Sequence, residues 1–469
     1  MPEYSPFEKN LDALETADLA ALRNAVEGWY IEYKREAVDA KSIAKSVSAF
    51  ANTYGGWLFY GVCEKAREDS VAGSFPGLSK SDVDVVLQRL RNATAMYLNP
   101  SPHFDLKVLW GPCEAINLGE DRGIICVRVP KSVLSPHVHK SGVVYRRVSD
   151  ASEPRPESDR FALDQLWRRA DGLREQYKEW VNRDPELSKA EEKLPYLRIM
   201  LVADLWHDRG ARLNASIADV REIFGQIRSG GVSLPFDTVY TSADGFVARQ
   251  LANNDPYNLG LTWELGLDLV SDILLPLPFY APTDINLLVH QLRGYTHIDR
   301  FVDILRKSKN SSPRVIDLNY IFNVLLGLVD IQRRILSRAA WPHGYTAKVR
   351  LLNCWRTVPF LDVPIVLDDF ENHGIPMCLR SEVTAPSGHE IDSFQKIFEK
   401  EIEGESEEDR VNVIVPTALI FSHIAYAFGV PPWIEQREEA DTASYYGDLS
   451  AAGNRAIDRQ KRRIESERN

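Results

Sequence analysis

The hydrophobic positions of the first hundred and fifty residues change period several times, and each change predicts an element. Ile43, Val47, Phe50 and Ala51 recur at helical spacing. Asp39 precedes them as a capping residue, and Gly55 follows as one that tolerates the left-handed conformation ending many helices. That pattern predicts a helix with one face against a sheet. Trp57 to Val62 is a continuous apolar run of strand length, Ser79 to Met96 is amphipathic at helical spacing, and Phe104 to Trp110 and Ile124 to Val129 read as further strands. Val143 to Val148 reads as a last strand, ending at Ser149-Asp150. Strands alternating with helices over so short a stretch predict a small α+β unit.

Polar residues punctuated by Pro154 and Pro156 interrupt this rhythm, and a charged helix from about Leu163 to Val181 follows. The expected division is a domain over 1–160, a helical connector over 161–200 and a C-terminal domain over 201–469, either α/β or mainly helical. In that last region the clearest helix begins after Asp317, carries Ile321, Leu325, Leu328 and Ile335 on one face, and stops before Pro342. The fold class expected is therefore α+β: a mixed sheet with packed helices, then a helix-rich region of uncertain fold. The most apolar later stretch, Ile273 to Tyr280, is short and broken by Pro276 and Pro278, and no N-terminal apolar run resembles a signal peptide. A soluble protein with no membrane partner is expected.

Composition sharpens this picture in three places. A chain of 469 residues, 44% hydrophobic, is long enough for more than one core. A formal charge of -11 argues against a protein that holds nucleic acid by overall positive charge, and leaves room for a local basic groove. Five scattered cysteines, Cys63, Cys113, Cys126, Cys354 and Cys378, do not suggest a disulfide framework and fit a reducing cytoplasm. The acidic run Glu399 to Asp409 and the basic last fifteen residues read as solvated segments.

Candidate chemistry concentrates in Glu27-Gly28-Trp29-Tyr30-Ile31-Glu32-Tyr33-Lys34. On a strand Glu32 and Lys34 share a face, and a carboxylate beside an ammonium suits a hard cation and a phosphate. Glu27, at the start of that strand, would join the same ion if the chain bends near Gly28. Glu64, just beyond the strand Trp57 to Val62, is the candidate third carboxylate, with Asp69 in reserve. A surface ion pair is the competing reading of the same spacing. Lys34, Arg146, Arg147 and Arg155 would line a phosphate-binding face, with Trp29 and Tyr145 as stacking surfaces; a solvated strand edge is the alternative. No phosphate-cradling Gly-rich loop, His-Glu-x-x-His, Gly-x-Ser-x-Gly or Cys-x-x-Cys pattern occurs. His207, His290, His297 and His423 are dispersed.

The same stretch, followed by Ser48-Ala49-Phe50-Ala51-Asn52-Thr53-Tyr54-Gly55-Gly56-Trp57-Leu58-Phe59-Tyr60-Gly61-Val62, resembles the signature of the Schlafen AlbA-type domain. Ser135-Pro136-His137 and Tyr145-Arg146-Arg147-Val148-Ser149 resemble that domain's closing segments, so the resemblance covers about residues 20 to 155. It implies a magnesium- or manganese-dependent endoribonuclease that cuts structured RNA such as tRNA or rRNA through three carboxylates. The first two are matched by Glu27 and Glu32. The third, usually Asp, falls where Cys63 and Glu64 stand. Glu27, Glu32 and Glu64 would then hold the metal, Lys34 would neutralise developing charge, and Lys34, Tyr145, Arg146 and Arg147 would bind RNA. The animal nucleases join two lobes in one chain and carry a Cys and His zinc cluster. Only one lobe is visible here, so a homodimer or higher homo-oligomer is expected, and His137 and His139 lack a Cys pair, so no zinc is expected. In a bacterium such a cytoplasmic enzyme would suit growth arrest or anti-phage defence. The alternative is a nucleic-acid-binding regulator with this fold and no cleavage.

Overall fold

A computed structural model describes residues 4–36, 38–66, 69–148, 153–207, 209–225, 234, 236–251, 257–388, 390–400, 410–430 and 439–468. The chain divides into two compact units, one of Met1–Trp180 with Asp204–Ala211, the other of Val181–Ala203 with Arg212–Asn469.

The first unit runs β1 (Ile31–Lys34), α1 (Ala40–Asn52), β2 (Gly56–Tyr60), β3 (Cys63–Ala66), β4 (Asp69–Ser74), α2 (Lys80–Tyr97), β5 (Leu98–Asn99) and β6 (Asp105–Trp110). It continues with β7 (Gly123–Val129), β8 (Val138–His139), β9 (Tyr145–Arg146), β10 (Arg155–Pro156) and α3 (Arg160–Asn182). Four strands form a sheet in the order β1-β2-β7-β6. β1 and β2 are parallel, with Glu32 opposite Leu58 and Lys34 opposite Tyr60, and the other pairs are antiparallel.

The two-residue period of a strand sorts this sheet into two cores. Ile31, Tyr33, Trp57, Phe59 and Cys126 pack under an N-terminal segment through Leu11, Leu14, Leu19 and Leu22. Leu58, Tyr60, Ile125 and Val127 pack against Ile43, Val47 and Phe50 of α1 and Val86 and Leu90 of α2. Glu32 and Lys34 therefore lie on the helical face.

The predicted caps hold. Asp39 Oδ1 accepts from the backbone N–H of Lys41 at 2.9 Å and Ser42 at 3.1 Å. Gly55, at φ +77°, donates its N–H to the Phe50 carbonyl at 2.9 Å. At Gly56 a Cβ would come within 2.3 Å of the Phe50 ring and 2.7 Å of the Tyr30 carbonyl. The glycine pair lets the chain leave α1 and enter β2 directly.

The strand expected over Val143 to Val148 is only the two-residue β9, paired with β10 so that Arg146 faces Arg155. The rest of the segment is held by the β8 segment and by the end of α1: the His139 N–H donates to the Val143 carbonyl at 2.9 Å, Asn52 Nδ2 donates to the carbonyls of His137 and Tyr145, and the Arg147 N–H donates to Thr53 Oγ1. Ser149 and Asp150 lie outside the described residues. The segment expected as a connector is mostly α3, which belongs to the first unit as far as Trp180. Its Arg169 donates to the Ser132 carbonyl at 2.8 Å, and Ser135 Oγ donates to the Leu166 carbonyl at 3.4 Å.

The second unit contains an eight-stranded antiparallel sheet. At its centre Tyr196–Val202 lies between Val270–Pro276 and Tyr345–Leu352. This sheet is a larger component than the expected helix-rich region suggested. The helix Ile321–Arg338 buries Ile321, Leu325, Leu328 and Ile335 as its spacing predicts. Glu399 of the acidic run pairs with Arg333 at 3.0 Å, and residues 401–409 lie outside the described residues. The whole is α+β, and among the described residues no helix is long and apolar enough to cross a membrane.

Candidate functional site

The segment entering β1 doubles back. The Gly28 N–H donates to the Ile31 carbonyl at 3.0 Å, and the Glu27 N–H donates to the Ser70 carbonyl of β4 at 2.8 Å. This fixes Glu27 against the β3–β4 hairpin and turns its carboxylate along β1, where Oε1 accepts the Tyr33 N–H at 3.1 Å. Tyr33 is held in turn by its hydroxyl, which donates to the Ala25 carbonyl at 2.8 Å.

Glu64, exposed on β3, reaches Glu27, and the two carboxyls share a hydrogen bond. Glu27 is 6% exposed. Burial first, then the hydrogen bond and negative charge of Glu64, push its carboxyl up to about 8; the Tyr33 N–H and the Lys34 charge oppose this. Two carboxyls in contact cannot both ionise without a compensating cation, so near neutral pH the pair holds a proton. The side chain of Asp69, the reserve candidate, lies outside the described residues.

Glu32, 2% exposed, is saturated by cations and a hydroxyl. Its Oε1 accepts from Lys34 Nζ at 2.9 Å and from Ser46 Oγ of α1 at 2.8 Å, while Oε2 is bound by Arg147 Nη2. Arg147 is fully buried, its guanidinium 4.2 Å from the centroid of the Phe50 ring. Burial lowers its guanidinium below the ordinary value, and the charges of Glu32 and Glu27 resist that. A buried charge pair of this kind stands only because each member is hydrogen-bonded, and loss of either leaves an uncompensated ion.

The structure thus gathers Glu27, Glu32, Lys34, Glu64 and Arg147 into one electrostatic cluster. Within it Glu27 pairs with Glu64, whereas Glu32 belongs to Lys34 and Arg147. Among the described residues no group of three Asp, Glu, His or Cys side chains is arranged to hold a metal ion. The donor chemistry of the Glu27–Glu64 pair nevertheless suits magnesium or manganese, which take oxygen ligands, retain several waters and need only one or two carboxylates.

The expected RNA-binding residues divide. Lys34 keeps a 31% exposed side chain beside the cluster. Arg155 is exposed, and Arg146 is half-buried with Nη1 2.5 Å from Glu157 Oε2. Tyr145 and Arg147 are corrections. Tyr145 is 8% exposed, its ring packed edge-on against His139, so it offers no open stacking face. Arg147 is spent on Glu32 inside the domain. Trp29 is half-buried 5.7 Å from Tyr54, a ring that is 48% exposed.

Sequence reasoning gave no role to Ser46, Asn52 and Thr53. Ser46 is a polar residue on the apolar face of α1, a mismatch that could have signalled it, whereas Asn52 ends the helix on the opposite side and Thr53 is its C-cap. All three are buried, and each fixes part of the cluster or the segment that delivers Arg147.

Residues 27–156 match the family described as Schlafen, AlbA_2. The chain therefore carries a Schlafen AlbA-type domain, of a family of nucleic-acid-related proteins, and the match runs from Glu27 past Arg147. Among solved structures the chain is similar to the DIP2311 protein from Corynebacterium diphtheriae, at 15% identity and a TM-score of 0.19, over 43% of this chain and 35% of that one. It spans about a third of the length of that protein. No curated protein matches.

Proposed function

We propose that the Schlafen AlbA-type domain of this chain is a magnesium- or manganese-dependent endoribonuclease acting on structured RNA such as tRNA, with Glu27 and Glu64 as its metal-holding pair. The observation that carries this reading is the buried carboxyl of Glu27, fixed by the Ser70 and Tyr33 backbone beside Glu64, with the ammonium of Lys34 held alongside by Glu32. A divalent cation bound there would polarise the scissile phosphate and lower the pKa of a water. The other steps belong to the chain's own residues. Glu27 and Glu64 would hold the cation, Glu27 releasing its proton to solvent. Lys34, anchored by Glu32 with part of its side chain exposed, offsets the negative charge that grows on the phosphate. Glu32 and Arg147 position it: the guanidinium fixes the carboxylate, and the carboxylate fixes the ammonium.

The test is incubation of the full chain with total tRNA and manganese, with and without chelator, for wild type, Glu27→Gln and Glu64→Gln. Each substitution is expected to lower the cleavage rate at least about a hundredfold, the order contributed by one electrostatic group at a reacting phosphate or carbonyl. Cleavage that survives both substitutions at the wild-type rate would remove the assignment.

A second reading has its own support: Glu32, the family's second carboxylate, is fully engaged by Arg147, Lys34 and Ser46. A domain built this way would bind nucleic acid without cutting it. Stable RNA binding with no cleavage at any manganese concentration is its outcome. A role in growth arrest or anti-phage defence follows only from the nuclease reading, and would be tested by phage plating on cells carrying wild type or Glu64→Gln.

A further inference from the structure

One feature of the first unit takes no part in the carboxylate cluster. β8 ends at His139, which is 5% exposed. The Ser141 N–H donates to its Nδ1 at 3.1 Å, and the Ser141 hydroxyl lies 2.7 Å from the same nitrogen. A ring nitrogen that accepts an amide proton carries none of its own, so the imidazole hydrogen is on Nε2. That Nε2–H is buried and has no partner among the described residues.

His137, two residues earlier, has the opposite arrangement. Its Nδ1 lies 2.7 Å from the Pro100 carbonyl, which can only accept, so the hydrogen is on Nδ1 and the buried, unpartnered Nε2 is an acceptor. His139 lacks an acceptor, and His137 lacks a donor. An anion can satisfy only His139.

The surroundings of His139 are cationic. Its ring stacks on Tyr97 at 5.9 Å and meets Tyr145 edge-on at 5.7 Å. Lys45 Nζ lies 5.4 Å from the centroid of the Tyr145 ring, and Lys140 Nζ lies 6.0 Å from that of Tyr97. Burial and the charges of Lys45 and Lys41 hold the imidazole below its ordinary value, so it stays a neutral donor. Lys41 and Lys45 stand one turn apart on α1, and among the described residues neither they nor Lys140 pair with a carboxylate. Asp39, the nearest acid along the chain, is occupied by the helix cap and by Ser42. A donor left buried and unpaired is destabilising, so a ligand that supplies an acceptor is favoured there.

We propose that His139, Lys41, Lys45 and Lys140 form a phosphate-binding subsite that takes a backbone phosphate of the RNA engaged at the Glu27–Glu64 pair. One ligand oxygen on Nε2–H would complete His139, and the lysines would supply the charge. The nucleic-acid source is favoured because α1 carries both ends: Lys45 is followed by Ser46, which donates to Glu32. The identity of the ligand rests on the function proposed above; the anion chemistry does not.

The test uses the full chain with ¹⁵N-labelled histidine, in chelator so that nothing is cleaved. Long-range ¹H–¹⁵N spectra are recorded with inorganic phosphate, and separately with a short single-stranded oligoribonucleotide lacking terminal phosphates. The oligonucleotide is expected to shift the His139 Nε2–H signal and slow its exchange while His137 stays put. Lys41→Gln/Lys45→Gln is expected to weaken oligonucleotide binding and flatten the dependence of log K on log salt by about one to two, as the loss of two phosphate contacts requires. A response to inorganic phosphate alone would overturn the backbone-phosphate source. No response of His139 to either probe would overturn the subsite. A His139 response in a chain that fails to cut tRNA with manganese would leave the subsite standing and remove the nuclease reading.

Discussion

At the scale of single residues, the decisive fact is that the three carboxylates legible in the sequence differ in state. Burial and the neighbouring Glu64 raise the Glu27 carboxyl above the ordinary range, while Glu32 is neutralised by Arg147 and Lys34. Spacing along the chain singled out all three and could not separate them, because it does not report that Glu27 turns back along β1 or that α1 delivers Ser46. A pH dependence follows. The Glu27 carboxyl sits at about 8 against 4.5 for an ordinary glutamate. The folded state therefore binds the extra proton between those values, and the associated stability is complete below about 4.5 and lost as pH rises through 8. Thermal melting is expected to fall as pH rises from 6 to 9, by at most about 1.4 kcal/mol per pH unit. Glu27→Gln is expected to flatten that slope, and an unchanged slope would show that Glu27 is not the group responsible. Arg147→Met isolates the other pair. It leaves the buried Glu32 with only the half-exposed Lys34 and the Ser46 hydroxyl as partners, so a loss of up to about 3 kcal/mol is expected in denaturant titration, with part regained in Glu32→Gln/Arg147→Met.

At the scale of elements, the long periodic ones were legible and the short ones were not. α1, α2, β2, β6 and β7 follow their apolar spacing to within a residue or two, because each buries a face wide enough to impose a period. The stretch Val143 to Val148 is rich in the β-branched and aromatic residues of a strand yet forms only the two-residue β9 and a single bridge from Val144 to Val138, since Asn52 and Thr53 at the end of α1 capture part of its backbone. Side-chain capture of this kind leaves no periodic trace. It makes Asn52 the tie between α1 and the β8 and β9 segments: its Nδ2 donates to two carbonyls and its Oδ1 accepts the His137 N–H at 2.8 Å. Asn52→Leu is expected to cost about 2–3 kcal/mol in chemical denaturation and to speed exchange of the His137 amide. Native-like protection there would contradict that role.

At the scale of the whole molecule, composition implied more than one core, and the chain has two compact units. The large sheet of the second escaped notice because its central strand carries an internal charge: Arg198 lies amid apolar residues of Tyr196–Val202 and is neutralised by Asp272 on the adjacent strand, 2.6 Å away. The basic C-terminal stretch likewise reads as solvated until its partners are visible. Within the second unit Arg455 Nε lies 2.6 Å from the fully buried Asp362, and Arg459 donates to the Gln291 and Arg293 carbonyls. Arg455→Ala is expected to lower the melting temperature in calorimetry, because among the described residues the Asp362 carboxylate then keeps only the Thr296 and His297 amides as donors.

The central claim is that Glu27 and Glu64 together hold one divalent cation. Titration of manganese into the full chain, followed by electron paramagnetic resonance of the free ion, tests it without reference to any substrate. The account predicts one bound manganese per wild-type chain, lost in Glu27→Gln and in Glu64→Gln and retained in Lys41→Gln/Lys45→Gln. Equal binding by wild type and both glutamine variants would contradict it.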